Sequence, residues 1–223
     1  MTRTLGIATI GQAPRDDIAA LFAEHAPEGT KVILRGALDG LSDAEVDALK
    51  PEYDGDTLYT RLRGGRDVKI SKKAVIARSP QVLARLRDDG CDVLVYACTG
   101  EFPPMPGDEG VLFPSRILNG LATGLLPRGR LGLLIPLAEQ AEKLGSKWAR
   151  PGLEVVAEAL APSAGAAEAA AAARRLAAHK PDLVAMDCMS YTPVTKEWIK
   201  PALGVPALLA ITATGRVLRE MLE

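Results

Sequence analysis

The sequence predicts an α/β protein of two halves, each built on a largely parallel β-sheet. Short runs rich in Val, Ile and Leu alternate with helical patterns along all 223 residues, which is typical of parallel sheets. The same alternation begins again after Leu137. Two of the apolar runs also end at a cysteine that small and hydroxyl residues follow, at Cys98 and Cys188. We therefore expect a first half at residues 1–125 and a second half at residues 126–223.

The first half opens with a strand, a turn and a helix. Residues 4–10, TLGIATI, form an apolar run that leads into a turn with Pro14 placed to begin a helix. The helical pattern continues to about His25, and a second strand is predicted at residues 31–38. Ser42 and Glu45 have the spacing of a capping box, which predicts a short helix.

A β-hairpin is predicted at about residues 56–71, where it interrupts the α/β alternation. Two alternating segments flank Gly64 and Gly65, a pattern typical of a tight turn between antiparallel strands. This insertion could serve as a lid or as an oligomer contact. A helix over residues 72–88 then leads to a strand at residues 92–97, directly before Cys98.

A Pro- and Gly-rich loop at residues 99–110 follows Cys98, and loops of this length are usually functional. A short strand is predicted at residues 111–113 and a helix from residue 114. The second half is predicted to have strands at residues 131–136, 153–156 and 205–210, a strand that ends at Cys188, and helices at residues 137–148, 164–180, 195–202 and 212–222. The last helix is placed to pack back on the first half.

Composition and motifs argue against several classes of function. The formal net charge is −1 and no basic face with interleaved aromatic residues is present, so we expect no nucleic-acid partner. No stretch approaches the ~20 apolar residues of a membrane span, and the N-terminal apolar run is too short for a signal peptide. Three cysteines in a chain of this length do not suggest a disulfide scaffold, so we expect a cytoplasmic protein. With two histidines and no nucleotide-binding motif, we expect neither a metal nor a cofactor.

Cys98 and Cys188 are the candidate catalytic residues. Ligands of parallel α/β sheets bind outside the carboxyl ends of the strands, where both thiols are predicted to lie. If the halves face each other across a cleft, one thiolate can remove a proton from a carbon next to a carbonyl while the opposite thiol returns one. The alternative is that each is a small buried apolar residue, the interpretation that we prefer for Cys91.

The candidate substrate-binding residues flank the strand ends and the turns after them. Arg15 and Arg116 lie at strand-to-helix junctions and could meet an anion, or could simply be solvated. Tyr191 could place a phenol at the site or pack over a strand end. Hydroxyl and backbone N–H groups could bind a carboxylate or an enolate, and Glu101 and Asp187 could tune a thiol. The complete set is Gln12, Arg15, Thr99, Gly100, Arg116, Met189, Ser190 and Tyr191.

Several separated motifs occur in an order that resembles the AroM family. They are TLGIATIGQAPRDD, ISKKAV, LFPSRIL before LGLLIP, and AMDCMSYT. More distantly, the layout is similar to the aspartate/glutamate racemase superfamily, which includes amino-acid and hydantoin racemases, maleate isomerases and arylmalonate decarboxylases. The resemblance implies two Rossmann-like parallel-sheet halves in a pseudo-twofold arrangement, with a cleft between them and a catalytic cysteine or its substitute in each. The hairpin predicted at about residues 56–71 is not a part of the α/β half that is typical of the racemases.

The residues around the thiols match that superfamily in part. Cys98 and Thr99 resemble its first motif, commonly Cys-Asn-Thr, and Cys188 resembles its second, commonly Cys-Thr. Met189 stands where a substrate-binding Thr is common, and Gly100 where a Thr or Ala is usual. Ser190 or Thr192 would then substitute in substrate binding.

We therefore expect a cofactor-independent racemase or epimerase that acts by two-cysteine proton transfer on a small amino-acid-like or cyclic amide substrate. One alternative is an isomerase or decarboxylase that uses a single thiol, Cys188. Another is a non-catalytic protein that binds a small molecule. A homodimer is also an expectation, because the polar loop and the hairpin offer surfaces for self-association.

Overall fold

The computed structural model describes residues 3–143 and 147–223. It confirms an α/β protein with parallel sheets. The chain folds into two compact units, Met1–Pro114 with Gly215–Glu223 and Ser115–Thr214. The division falls earlier than residue 125, so nearly all of the helix that follows Phe113 belongs to the second unit.

The first unit is built around a parallel sheet. Its elements in chain order are β1 (Thr4–Thr9), α1 (Asp16–Ala23), β2 (Lys31–Gly36), α2 (Asp43–Ala48), β3 (Thr57–Arg61), β4 (Asp67–Ser71), α3 (Lys72–Asp88) and β5 (Val93–Tyr96). β1 is the middle strand of three, between β2 and β5. It is buried from Leu5 onward because both faces of such a sheet are covered. The predicted capping box of Ser42 and Glu45 begins α2.

The predicted hairpin is confirmed as the antiparallel pair of β3 and β4, and it is part of the core of the first unit. Leu58 and Ile70, one on each strand, are buried in the same apolar cluster as Cys98. The hairpin also lies directly over the turn after β1. A Cβ atom on Gly11 would lie 2.5 Å from the Thr60 hydroxyl oxygen and 2.7 Å from the Arg61 carbonyl oxygen. Glycine is therefore needed for this close approach.

The second unit has a four-stranded parallel sheet. Its elements in chain order are α4 (Pro114–Leu125), β6 (Gly129–Ile135), a 3₁₀ helix (Ala138–Lys143), β7 (Leu153–Ala159), α5 (Ala166–Ala178), β8 (Leu183–Met186), α6 (Pro193–Leu203), β9 (Ala207–Leu209) and α7 (Ala210–Leu222). The strands lie in the order β7-β6-β8-β9, and every pair is parallel. α7 begins in this unit, and its residues from Gly215 onward belong to the first unit.

Three local predictions differ from the structure. Residues 111–113 do not form a strand, and only an isolated bridge joins Leu112 to Val95. The helix predicted at residues 137–148 is a 3₁₀ helix at Ala138–Lys143, and residues 144–146 lie outside the described part of the chain. The first helix, predicted to continue to about His25, ends at Ala23, and the half-buried imidazole ring of His25 packs against Gly215 of α7.

The parallel sheets of the two units share the order of three strands, and the second unit adds β9 at one edge. In each, the first strand, β1 or β6, is central, the second strand lies on one side of it and the third on the other. The third strand, β5 or β8, is buried at every residue and leads to a cysteine. Because a parallel strand next to the central one carries its following turn to the carboxyl edge, each cysteine lies where such sheets bind ligands.

Candidate functional site

The first thiol lies in a turn just beyond β5. Ala97 N–H donates a hydrogen bond to the Ala8 carbonyl oxygen at 2.7 Å, which extends the ladder with β1 by one residue. Cys98 follows at once, and its Sγ accepts the Gly100 N–H at 3.3 Å. The thiol is thus held at the carboxyl edge of the sheet by the backbone of its own turn.

The second thiol lies in a matching turn beyond β8. Asp187 N–H donates to the Leu134 carbonyl oxygen at 2.8 Å, which extends the ladder with β6 in the same way. Cys188 comes next, and its Sγ accepts the Ser190 N–H at 3.5 Å. In both units the donor is the backbone N–H two residues after the cysteine.

This shared geometry suits a thiol that becomes a thiolate. A backbone N–H aimed at sulfur stabilises the negative charge of the thiolate, and a thiolate is the form that removes protons or attacks carbon. Cys98 and Cys188 are 9% and 7% exposed, so each sulfur lies at the boundary between the core and the edge of its unit. At Cys91, outside these turns, burial, followed by the negative charge of Asp89, raises the pKa of the thiol.

An aromatic cluster packs behind Cys98. The Tyr96 ring lies edge-on to Phe102, with 4.8 Å between the ring centroids, and stacks on Phe113 at 5.5 Å. The Tyr96 hydroxyl shares a hydrogen bond with Ser79. Burial raises the pKa of Tyr96 far above its ordinary value, and Cys98 raises it further, although the Ser79 hydrogen bond acts in the opposite direction. Tyr96 therefore stays neutral and serves as a packing residue behind the thiol.

Thr99 and Gly100 form the turn that follows Cys98. Thr99 is buried, and a Cβ on Gly100 would lie 3.2 Å from Leu58 of the hairpin and 3.3 Å from the Phe102 ring. Gly100 thus allows the loop to pack closely against the hairpin, besides donating its N–H to the sulfur. Glu101, the next residue, is exposed.

Gln12 joins three segments around the turn after β1. Its Nε2 donates to the carbonyl oxygens of Leu41 and Leu38 at 3.0 and 3.4 Å, and its Oε1 accepts the Arg63 N–H at 3.4 Å. The amide thus links the turn after β1 to the segment after β2 and to the hairpin turn. Binding of substrate by this amide would require one of these hydrogen bonds to be exchanged.

Arg15 is a buried cation beside the same turn. Its guanidinium makes a bidentate pair with Asp17, with Nε to Oδ1 at 2.9 Å and Nη2 to Oδ2 at 2.8 Å. Burial is the largest influence on the pKa of Asp17 and would raise it. The hydrogen bond and charge of Arg15, with a contribution from Arg61, outweigh burial, and the pKa is lowered. Arg15 therefore adds positive charge to this edge, partly balanced by a half-exposed carboxylate.

Asp187, directly before Cys188, belongs to a buried ion pair. Lys147 Nζ lies 2.7 Å from both carboxylate oxygens, and the indole Nε1 of Trp148 donates to Oδ2 at 3.1 Å. The side chains of Lys147 and Asp187 are 8% and 3% exposed. The Asp187 carboxylate is thus bound by two side chains of the second unit, Lys147 and Trp148.

The other candidates of the second unit differ in burial. Tyr191 is fully buried, and its hydroxyl donates to the Leu160 carbonyl oxygen at 2.6 Å, so it ties the turn to the segment after β7. Met189 is buried and Ser190 is partly exposed. Arg116 is exposed in the first turn of α4.

Among residues 3–143 and 147–223, no group of three or more His, Cys, Asp or Glu side chains could hold a metal ion. Within the same ranges, no helix is long and apolar enough to cross a membrane.

The sequence matches one protein family. The family model described as AroM protein matches residues 5–222. The chain belongs to the AroM family. No sequence among the curated proteins matches it.

Solved structures share the fold of this AroM chain at low sequence identity. Unliganded arylmalonate decarboxylase is 16% identical with a TM-score of 0.63, and the match covers 100% of this chain and 93% of that one. Glutamate racemase from Francisella tularensis subsp. tularensis SCHU S4, in complex with D-glutamate, is 15% identical with a TM-score of 0.59, over 99% and 81% of the chains. A mutant maleate cis-trans isomerase of Nocardia farcinica, with a covalently bound succinylcysteine intermediate, is 18% identical with a TM-score of 0.59, over 100% and 93%.

The sequence interpretation of this AroM chain missed Lys147 and Trp148. Both lie near the end of a predicted helix, and no local pattern marks them, because their partner Asp187 is 40 residues from Lys147. The one available signal was Asp187 itself. A carboxylate at the end of a buried strand has to be paired or hydrogen-bonded, which predicts a cation or a donor elsewhere in the chain.

Proposed function

We propose that this AroM protein is a cofactor-independent racemase or epimerase in which Cys98 and Cys188 act as base and acid at one carbon. The observation that carries the proposal is the pair of matching thiol turns. Each follows the strand next to the central one, and each offers its sulfur a backbone N–H two residues on. If one of the cysteines served only to pack its own unit, nothing would require the other unit to have a matching turn.

The proposed reaction inverts a carbon next to a carbonyl group. One sulfur, as thiolate, takes the α-proton, and the electron pair of the broken C–H bond moves into the carbonyl to form an enolate. The other sulfur, as thiol, gives its proton to the opposite face of the same carbon. The two sulfurs then have exchanged their protonation states, and no external oxidant or cofactor enters the balance. The pKa of an ordinary thiol, ~8.5, is close enough to neutrality for both roles.

The polar groups of the two turns support a small carbonyl compound as the substrate. Thr99 directly follows Cys98, and Ser190 is two residues after Cys188. Their hydroxyl groups could donate hydrogen bonds to a carboxylate or to the enolate oxygen. Asp187 is engaged with Lys147 and Trp148, so it does not offer a simple acceptor for a substrate ammonium group. A cyclic amide is therefore at least as good a candidate as an amino acid.

A second candidate is an isomerase or decarboxylase that uses one thiol. The structures with this fold include a decarboxylase and an isomerase whose intermediate is a covalent succinylcysteine. In that case Cys188 donates the proton or forms the covalent bond, and Cys98 packs the core with which it is clustered. A protein that binds a small molecule without turnover is a third possibility.

Substrate screening of thiol variants tests the proposal. Pure enantiomers of amino acids, hydantoins and related acids are incubated with the protein in D₂O, and inversion and α-proton exchange are followed by chiral chromatography and NMR. We expect one class to be racemised, and we expect Cys98→Ser and Cys188→Ser each to slow inversion by about 10²-fold or more, the range of general acid–base catalysis.

Cys91→Ser is the matched control, because Cys91 lies outside the two turns and its substitution should leave inversion unchanged. Retention of inversion by both Cys98→Ser and Cys188→Ser would rule out the thiol mechanism. Loss of turnover in Cys188→Ser alone would favour the one-thiol enzyme. Thermal stabilisation by a ligand that is never turned over would favour a binding protein.

A further inference from the structure

The buried ion pair of Lys147 and Asp187 has no part in the proton transfer described above, yet it adjoins Cys188. Both carboxylate oxygens of Asp187 lie 2.7 Å from Lys147 Nζ, and the Trp148 indole N–H donates to one of them at 3.1 Å. The ammonium group also lies 5.1 Å from the centroid of the Trp148 ring. The pair is thus enclosed by an aromatic side chain that is itself only 1% exposed.

Backbone hydrogen bonds fix both ends of this pair. Asp187 N–H is held by the Leu134 carbonyl oxygen of β6, and the Lys147 carbonyl oxygen accepts the side-chain N–H of Asn119 on α4 at 2.8 Å. The pair therefore connects the sheet edge at which the Cys188 turn begins to the segment that packs beside α4. Asp187, the residue directly before the thiol, is thus held by the sheet through its backbone and by Lys147 through its side chain.

Stability alone is a weak explanation for such a pair. Desolvation of two charges consumes most of their mutual attraction, and a buried pair can often be replaced by apolar residues of similar volume without loss of stability. The position of Asp187 offers a better explanation for the pair, because Asp187 directly precedes Cys188, the thiol that changes its protonation state in the proposed reaction. A positive charge nearby favours the thiolate and a negative charge disfavours it.

We propose that Lys147 and Asp187 are positioning residues for Cys188: together they fix the turn that holds the sulfur and balance the charge beside it. This inference rests on the proposed role of Cys188 in acid–base chemistry. Removal of either charge changes the net charge at the residue that directly precedes the thiol. The thiolate of Cys188 is then favoured when only Lys147 remains, and disfavoured when only Asp187 remains.

The test is the pH profile of Cys188 alkylation, which requires no substrate. In the 223-residue Cys91→Ser/Cys98→Ser chain, Cys188 is the only thiol, and its reaction with iodoacetamide is followed by mass spectrometry from pH 6 to pH 10. We expect Asp187→Asn to lower the half-maximal pH and Lys147→Met to raise it, each by on the order of one unit. Lys147→Arg, which keeps the charge, should stay near the parent profile.

A purely structural pair would not move the two profiles in opposite directions. Profiles that stay unchanged, or that move in the same direction, would overturn the proposal. If either single variant fails to fold, the double variant Lys147→Met/Asp187→Leu replaces the pair with apolar side chains. Its Cys188 should be alkylated several-fold faster than in the parent, because the turn has lost its anchor, and an unchanged rate would overturn the proposal.

Arg35→Met and Asp89→Asn provide the matched control. Arg35 and Asp89 form a bidentate ion pair in the first unit, so the same charges are removed from a pair that does not adjoin Cys188. We expect neither variant to change Cys188 alkylation. The alkylation result and the racemase assay can fail separately. A protein without racemase activity can still show the opposite shifts of the alkylation profile, and an active racemase can lack them.

Discussion

At the scale of single residues, the proposed chemistry depends on two thiols and on the groups that hold them. The sequence indicates Cys98 and Cys188 as candidates, because a buried strand twice ends at a cysteine that small polar residues follow. It could not predict the groups that contact the sulfurs, because these are backbone N–H groups, which almost every residue carries. Nor could it predict that the Gln12 and Tyr191 side chains join distant segments, with partners such as Leu41 and Leu160 about thirty residues away.

Gly11 gives a prediction at this scale. We expect Gly11→Ala to destabilise the protein by about 1–3 kcal/mol, the usual cost of an added methyl group in a packed site. The new Cβ would meet the Thr60 hydroxyl at 2.5 Å and the rigid Arg61 carbonyl at 2.7 Å, so the hairpin would have to move. Urea unfolding measures the change.

Gly120→Ala is the control for that experiment. Gly120 lies inside α4, and its added Cβ would meet nothing within 4 Å. Since alanine is a better helix former than glycine, we expect this variant to gain about 0.5–1 kcal/mol. A Gly11→Ala protein as stable as the wild type would show that the hairpin does not pack on the turn after β1.

At the scale of elements, the sequence predicted most strands and helices because a strand buried on both faces is a continuous apolar run. Residues 111–113 show the limit of this signal. Val111 and Phe113 are buried, but they pack in the core of the first unit while only Leu112 bridges to β5. Burial without strand pairing gives the same sequence pattern as a short strand, so the pattern cannot separate the two.

The contact between His25 and α7 predicts a pH dependence of stability. Burial lowers the pKa of His25 below its ordinary 6.5, and the positive charge of Arg216 lowers it further, whereas Glu24 opposes this and Arg219 adds to it. The unfolded chain therefore takes up this proton at a higher pH than the folded protein does. The stability that depends on neutral His25 is fully present above about pH 6.5 and is lost as the pH falls toward the folded pKa.

The measurement compares urea unfolding at pH 7.5 and pH 5.5 for the wild type and for His25→Gln. We expect the wild type to lose more stability than the variant on acidification, because glutamine cannot take up the proton. His179→Gln is the control, since His179 is half-exposed in the second unit. Equal losses in the wild type and in His25→Gln would contradict the assigned contact.

At the scale of the whole molecule, the AroM chain consists of two units whose parallel sheets share the order of three strands, and in each unit one thiol lies in a similar turn after the third of these strands. The sequence predicted the α/β class and the parallel sheets. It placed the division between halves later than the structure does, because α4 follows the first unit without any break in composition. The fold is shared with proteins of several activities, so the chemistry has to be argued from the thiols themselves.

The proposed function requires Cys98 and Cys188 to serve opposite faces of one carbon. The measurement that tests it most directly is α-proton exchange in D₂O, on each pure enantiomer of a substrate found by screening, with Cys98→Ser and Cys188→Ser. We expect each variant to exchange the proton of only one enantiomer, the two variants to select opposite enantiomers, and neither to invert its substrate at an appreciable rate. Exchange of the same enantiomer by both variants, or inversion by either at the wild-type rate, would contradict it.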